Sequence, residues 1–292
     1  MSEADRNTWQ RIGTYLFFTL VFSAVFWGLI IHTGHLASGG GLFVLALMWC
    51  PGLAGLLTRY LYQGNLDGHG WRWGRARYPL ASYLIPIAYA TPVYLVAWFS
   101  GLASFNTAFL ARASASFGWP HLPVSVQLLL YVVLLGTFGM VGESAHALGE
   151  ELGWRGFLVP ELAKVTSYRN VSLISGICWA CWHYPLLLFA DYNAGTPAWY
   201  GLACFTVMVV GTSFVFAWMR LRSGSVWTGM LLHASHNLFI QSIFDRLTGN
   251  TGRTPWITGE FGIGLAIMAI VVAVICLRHQ QAVTAPAAVE VR

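Results

Sequence analysis

One apolar segment of this sequence carries three charged side chains that could do chemistry. The segment from Gly149 to Leu158 reads GEELGWRGFL and contains Glu150, Glu151 and Arg155. Charged residues make up only 9% of the chain, and ionised groups are costly to keep in an apolar surround. A carboxylate in such a surround holds its proton more tightly than in water, as a general base requires. The segment is therefore the first candidate for a catalytic helix.

The two adjacent glutamates are predicted to have different roles. Steps of three and four residues place Glu143, His146 and Glu150 on one helical face, whereas Glu151 is rotated by about 100° and shares a face with Arg155. The i, i+4 spacing of Glu151 and Arg155 predicts an intrahelical ion pair. Glu150 is then left facing the interior of the protein. Glu143 and His146 are interpreted as polar groups that join helices.

Two later apolar stretches carry imidazole and amide groups. Trp179 and His183 lie one turn apart in WACWHYP, and His233 and Asn237 share a face in HASHN, with His236 to one side. Polar side chains flanked by large apolar residues must point toward water or toward other polar groups. Carboxylate, imidazole and amide groups on three separate stretches together predict one convergent site.

Composition determines the solvent around these residues. The 292-residue chain is 57% hydrophobic with a mean hydropathy of +0.60, more apolar surface than one soluble core could use. Apolar stretches of about 20 residues are long enough to cross a bilayer as helices. The predicted fold is therefore all-α, a polytopic membrane helical bundle of about eight transmembrane helices. They are predicted near residues 12–33, 41–62, 80–104, 124–148, 169–190, 198–220, 225–244 and 257–278, the fourth continuing as helix to about Pro160.

A single transmembrane domain is predicted over residues 12–279. Residues 1–11 form a cytoplasmic arm before it, and residues 280–292 are predicted to be a disordered cytoplasmic tail. The five cysteines lie inside predicted spans, and no disulfide is expected.

The positions of the basic residues predict the orientation in the membrane. Thirteen of the 16 Lys and Arg fall in alternate connections, whereas Arg112, Arg246 and Arg253 fall in the others. By the positive-inside rule, both termini are expected in the cytoplasm. Basic residues beside anionic lipid account for the net charge of +5, so membrane lipid and not nucleic acid is the expected partner.

The order of three motifs resembles the CPBP family, the CAAX prenyl protease and bacteriocin-processing intramembrane proteases also called Abi proteins. Glu-Glu-x-x-x-Arg begins at Glu150, aromatic-x-x-x-His runs from Trp179 to His183, and His-x-x-x-Asn begins at His233. The second motif usually begins with Phe in the family, so Trp179 is a conservative departure. The resemblance covers about residues 125–245, where the protease core is expected.

The resemblance implies an intramembrane endopeptidase that hydrolyses a peptide bond of a membrane-associated or lipidated substrate. Glu150, helped by His183, would activate the attacking water. His233 and Asn237 would polarise the scissile carbonyl and hold the oxyanion, where one good donor contributes about 3 to 4 kcal/mol. The supporting residues would be Glu151, Arg155 and Trp179.

Metal dependence stays open at the level of sequence. The family is often labelled metalloprotease, and Glu150, His183 and His233 would make a set that binds catalytic zinc with one position open to water. The chain has no H-E-x-x-H, in which two ligands and a base are built into one helix. A glutamate mechanism without metal uses the same residues. A divalent ion such as zinc is therefore expected to be optional.

The substrate and the physiological role also stay open. Some members of the family resemble endopeptidases that cut after a prenylated cysteine, and Glu150 near the cytoplasmic end of its span fits such a site. Others are associated with bacteriocin maturation, immunity or regulated cleavage. The compact size and the lack of a targeting extension favour a prokaryotic inner-membrane protein. The alternatives are a non-catalytic bacteriocin-immunity-like membrane protein and a proton-coupled transporter.

Overall fold

The fold is an almost entirely helical bundle. The computed structural model describes residues 2–193 and 195–281. The helices are α1 (Glu3–Thr33), α2 (Leu42–Gln63), α3 (Arg77–Phe99), α4 (Thr107–Ser116), α5 (Val124–Leu134), α6 (Met140–Gly153), α7 (Val159–Leu162), α8 (Tyr168–Phe189), α9 (Ala198–Ser223), α10 (Trp227–Asn237), α11 (Thr254–Ile257) and α12 (Ile263–Arg278). A short 3₁₀ turn, Ser38–Gly41, precedes α2, and a minimal antiparallel pair joins Ser104–Phe105 to Thr248–Gly249.

The predicted polytopic helical bundle is confirmed. Within residues 2–193 and 195–281, six helices are long and apolar enough to cross a membrane, with α5, α6 and α7 counted as one continuous span, Val124–Leu162. The predicted seventh span is α10 extended by a π-helical segment, and the predicted eighth is the shorter α12. The number eight therefore stays a prediction. The predicted disorder of the tail falls, from residue 282 onward, outside the described residues.

The fourth span is longer than the sequence suggested, and it contains two π turns. These are Leu135–Gly139 and Trp154–Leu158, and the helix continues past Pro160 to Leu162. Glu150 precedes Leu162 by twelve residues, which corresponds to about 18 Å of helix. Because the whole helix is longer than a bilayer core, this distance does not fix the depth of Glu150 in the membrane. Its place near the cytoplasmic end of the span stays a prediction.

Glycines let the motif helix α6 approach α2 without intervening side chains. A Cβ atom on Gly149 would lie 2.7 Å from the carbonyl oxygen of Met48, and one on Gly153 would lie 2.4 Å from the carbonyl carbon of Pro51. Both separations are shorter than atoms tolerate, so only glycine fits. On another side α6 packs against α10, which in turn packs against α3. The first motif is thus held between α2 and the helix that carries the third.

Candidate active site

The residues predicted to be catalytic border one cavity. Its volume is about 180 Å³, and its wall includes Glu150 of α6, Trp179 and His183 of α8, and His233 and Asn237 of α10. The apolar part of the wall comes largely from α2, α8 and α9, with Leu47, Phe205 and Met208 among its residues. Folding therefore brings three distant sequence motifs to the same cavity.

Glu150 is held by two indole groups. Its Oε2 accepts a hydrogen bond from Nε1 of Trp179 at 2.6 Å and a longer one from Nε1 of Trp154 at 3.3 Å. The side chain is only 1% exposed, so these donors replace water. With Oε2 occupied, Oε1 is the oxygen left to meet a ligand. Trp179 therefore does more than form a wall, because its N–H is a group that the Phe usual at this motif position does not have.

The predicted ion pair between Glu151 and Arg155 is confirmed, and it includes a third member. Nη1 of Arg155 donates to Oε1 of Glu151 at 2.8 Å, and Nδ1 of His233 donates to the same oxygen at 3.0 Å. The guanidinium of Arg155 also stacks over the rings of Trp179 and Phe216, at 4.1 and 3.9 Å from their centres. All of the charged groups are buried, so each depends on the others for compensation.

The contacts of the two cavity histidines decide which ring nitrogen is available. Nδ1 of His233 is engaged by Glu151, which leaves Nε2 for the cavity. Nδ1 of His183 donates to the carbonyl oxygen of Trp179 at 2.9 Å, which leaves the lone pair of Nε2. One turn after His233, Asn237 presents an amide at the same wall.

Glu143 and His146, interpreted as polar groups that join helices, are not among the residues that line this cavity. Nδ1 of His146 instead donates to the carbonyl oxygen of Gly142, one turn earlier, at 3.0 Å. Both side chains are half-buried. Sharing a helical face with Glu150 did not bring them to the site, because that face extends beyond the cavity.

A second polar group on the cavity wall was missed by sequence reasoning. Nε2 of His236 donates to Oε1 of Glu260 at 2.9 Å, and the hydroxyl of Tyr89 contacts Nδ1 of the same ring. The hydroxyl of Tyr192 donates to Oε2 of Glu260 at 3.1 Å. Glu260 lies between α11 and α12, as an isolated acid within a predicted apolar span. That isolation was the only available signal in the sequence.

The side chains as folded do not form the metal set that the family resemblance implies. Among the described residues, no group of three or more His, Cys, Asp or Glu is arranged to hold a metal ion. Oε2 of Glu150 is occupied by indole N–H groups, and Nδ1 of His233 is turned toward Glu151. These contacts leave Oε1 of Glu150 and Nε2 of His183 and His233 as the atoms that face the cavity. Whether a divalent ion binds stays a prediction.

Comparison with known proteins finds a family model and a relative that match the region of the three motifs. Residues 140–239 match the family model described as Type II CAAX prenyl endopeptidase Rce1-like. The CAAX prenyl protease 2 of Methanococcus maripaludis is 28% identical over 167 residues, which is 55% of this chain and 54% of that protein. The resemblance to the CPBP family is confirmed. The chain spans about half the length of this curated relative.

The CPBP match and the apolar helices together identify an integral membrane protein. The matched region contains all three motifs, from Glu150 to Asn237. Glu260 and the loop between α2 and α3 lie outside it. The structure therefore adds parts of the cavity and of its surroundings that the CPBP match does not cover.

Proposed function

We propose that this protein is an intramembrane endopeptidase that hydrolyses a peptide bond with water activated by Glu150. The observation that carries the proposal is the convergence of Glu150, His183, His233 and Asn237 on one cavity. The CPBP match over residues 140–239 supports the same reaction class. A polar cluster of carboxylate, imidazole and amide inside an apolar wall is what hydrolysis in a membrane requires.

Water is activated between Glu150 and His183. With Oε2 of Glu150 held by indole groups, Oε1 accepts a proton from water as the water oxygen attacks the scissile carbonyl carbon. The Nε2 lone pair of His183 accepts a hydrogen bond from the second O–H group of that water and so orients the water. The proton on Glu150 then passes to the leaving amine as the tetrahedral intermediate collapses. The carboxylate is regenerated by this transfer.

The developing oxyanion is stabilised from α10. Nδ1 of His233 already donates to Glu151, so its Nε2 can donate to an oxyanion only when the ring is an imidazolium. The buried carboxylate of Glu151 favours that charged form. The Asn237 amide supplies a second donor one turn away. Loss of one such donor typically lowers the rate about 10²- to 10³-fold.

The substrate is proposed to be a membrane-associated or prenylated peptide. The apolar part of the cavity wall, which includes Leu47, Phe205 and Met208, suits a hydrocarbon chain beside the polar cluster. The matched relative is named for a CAAX prenyl protease activity. We propose a prokaryotic inner membrane as the location, with both termini in the cytoplasm, because the basic residues alternate in that sense.

The test compares wild type with Glu150→Gln on purified protein in lipid. Cleavage of a farnesylated C-terminal peptide, of the same peptide without the lipid, and of a transmembrane peptide is measured by mass spectrometry. We expect Glu150→Gln to lower kcat by about 10²- to 10⁴-fold, the usual contribution of a general base. Glu143→Gln is the matched control, because it removes a carboxylate on the same helix that does not line the cavity. Equal rates for wild type and Glu150→Gln, or no cleavage by wild type, would overturn the proposal.

Metal removal tests the chemistry independently. We expect the wild-type rate to be unchanged after prolonged dialysis against a chelator, because the proposed mechanism draws only on side chains of the protein. Elemental analysis before and after dialysis shows whether an ion was removed. A rate that falls with the chelator and returns with zinc would refute a glutamate mechanism without metal.

A further inference from the structure

The loop between α2 and α3 inserts one histidine against the motif segment. His69 is fully buried although its loop neighbours Trp71 and Arg72 are exposed. Its ring stacks on Trp71, and its Nε2 donates to the carbonyl oxygen of Leu152 at 3.0 Å. The ring does not line the cavity. Buried polar side chains are normally hydrogen-bonded, and the partner of His69 is the backbone of the helix that carries the first motif.

The π turn Trp154–Leu158, close to His69, changes the hydrogen bonds of the helix. The N–H of Val159 donates to the carbonyl of Trp154, so the carbonyl of Arg155 loses its regular i+4 partner. The regular partner of the Gly156 carbonyl would be Pro160, which has no N–H. The turn therefore leaves buried carbonyl oxygens that need donors from outside the helix.

Basic side chains from two elements supply those donors. Nε of Arg220 donates to the carbonyl oxygen of Arg155 at 2.7 Å, and Nη2 of Arg59 donates to that of Gly156 at 3.3 Å. The two arginines thus supply the donors that these two carbonyls lack within the helix. His69 donates to a third carbonyl of the same segment, that of Leu152.

The same arginines hold the loop that carries His69. Nη1 of Arg59 donates to the carbonyl of Asp67 at 3.0 Å, and Nη2 of Arg220 donates to that of Gly68 at 3.1 Å. Gly156 leaves room for the ring, because a Cβ there would lie 2.7 Å from Cδ2 of His69. Loop, arginines and π turn therefore form one unit.

We propose that His69 is a positioning residue for the glutamate pair, holding the π turn so that Glu150 and Glu151 keep their separate partners. The inference rests on the proposed function, in which Glu150 is the base. Glu150 points to Trp179 and the cavity, whereas Glu151 points to Arg155 and His233. Leu152 directly follows Glu151, so the hydrogen bond from His69 to its carbonyl holds the backbone next to both glutamates. His69 thus acts on the reaction through backbone geometry.

The variants His69→Gln and His69→Met separate a donor from a space-filling group. The amide nitrogen of Gln lies as many bonds from the backbone as Nε2 of His, so Gln keeps the hydrogen bond, whereas Met fills similar space without a donor. We expect His69→Met to lower kcat about tenfold with KM unchanged, and His69→Gln to restore kcat to within about threefold of wild type. Arg72→Gln, an exposed change in the same loop, is the control. If Met prevents folding, His69→Asn replaces it, because its shorter amide cannot reach Leu152.

Hydrogen exchange gives a readout that does not depend on activity. We expect amides in residues 150–159 to exchange about tenfold faster in His69→Met than in wild type and His69→Gln, with α9 unchanged. Equal exchange and equal kcat in the Met and Gln variants would overturn the positioning role, as would a change confined to KM. A wild type that cleaves no substrate would refute the proposed function alone, because the exchange comparison would still test His69.

Discussion

Two carboxylate–imidazole pairs place their rings at the wall of the same cavity and differ in which ring nitrogens they leave available. Glu151 and His233 are 3.0 Å apart, and Glu260 and His236 are 2.9 Å apart. In the first pair Nε2 of the ring remains for the cavity, whereas in the second both ring nitrogens are occupied, one by Glu260 and one by Tyr89. The two pairs thus have similar carboxylate–imidazole distances but differ in whether a ring nitrogen is left to contact a substrate. The number of ring atoms already engaged distinguishes a group that can act from one that braces.

The two pairs also differ in how their charge is compensated. Glu151 has Arg155 as a second partner, so its pair is part of a three-member charged group. Glu260 instead accepts from the hydroxyl of Tyr192. Because Glu260 precedes α12, its pair ties that end of the chain to α10. We interpret the second pair as the group that keeps the face of α10 bearing His233 and Asn237 toward the cavity.

The largest difference is expected when each carboxylate is neutralised. Glu151→Gln leaves the buried guanidinium of Arg155 without its charged partner, which we expect to cost about 3 to 5 kcal/mol of unfolding free energy. Glu260→Gln leaves no arginine uncompensated, and the expected cost is about 1 to 3 kcal/mol. Denaturant titration of each variant in detergent measures both. Equal losses would show that Arg155 does not distinguish the pairs.

Replacing the two histidines tests catalysis rather than stability. We expect His233→Gln to lower kcat about 10²- to 10³-fold, because the oxyanion loses its charged donor. His236→Gln should lower kcat less than tenfold, since its ring nitrogens are already engaged by protein groups. Steady-state rates on the peptide that wild type cleaves best provide the comparison. A larger effect at His236 would reverse the roles of the two pairs.

The indole donors to Glu150 provide a smaller test of the first pair's surroundings. Trp179→Phe keeps an aromatic wall but removes the 2.6 Å hydrogen bond to Glu150. We expect kcat to fall about tenfold, which corresponds to about 1.4 kcal/mol. Trp154→Phe should have less effect, because its hydrogen bond is longer at 3.3 Å. An unchanged kcat in Trp179→Phe would show that Trp179 contributes only through its aromatic ring.

A last expected effect concerns His69, which donates to a backbone carbonyl instead of a carboxylate. Burial lowers the pKa of His69 to about 3, with the nearby positive charge of Arg59 adding to the shift. In the unfolded chain the pKa of a histidine is about 6.5, so below that pH the unfolded chain binds a proton that the folded protein does not. The contribution of His69 to the free energy of unfolding is therefore fully present above pH 6.5 and falls as the pH drops toward 3. At pH 5.5 the loss is about 1.4 kcal/mol.

Thermal unfolding in detergent at pH 7.5 and 5.5 measures this loss. Wild type should lose more stability between the two pH values than His69→Gln, which has no titrating group at that position. The same pH dependence in both proteins would show that groups other than His69 determine the loss of stability at low pH.

Much of the fold followed from the sequence because bilayer thickness sets the length of apolar stretches. The Glu151–Arg155 pair was also predictable, since i, i+4 contacts depend only on helix geometry. Its third member was not. The contact of His233 with Glu151 depends on how α10 is rotated against α6, and that rotation comes from side-chain packing between helices.

The parts that were missed share a physical cause. Glu260 comes from a connection that folds into the bundle, and His69 comes from a loop rich in Gly, Trp and Arg. No periodic pattern marks either residue, because neither lies on a regular helix. The π turn at Trp154–Leu158 was likewise hidden, although Pro160 removes one backbone donor there. Irregular backbone brings in partners that helical periodicity cannot indicate.

The glycine contact between α2 and α6 affects how such sequences diverge. Gly149 and Gly153 are required because any larger side chain would meet the backbone of α2. A descendant that lost Glu150, and with it catalysis, would still need both glycines to keep its helices together. Selection on packing alone would therefore preserve part of GEELGWRGFL in an inactive relative. Among such relatives, the presence of a glutamate at the position of Glu150 would therefore indicate an enzyme better than the presence of Gly149 and Gly153.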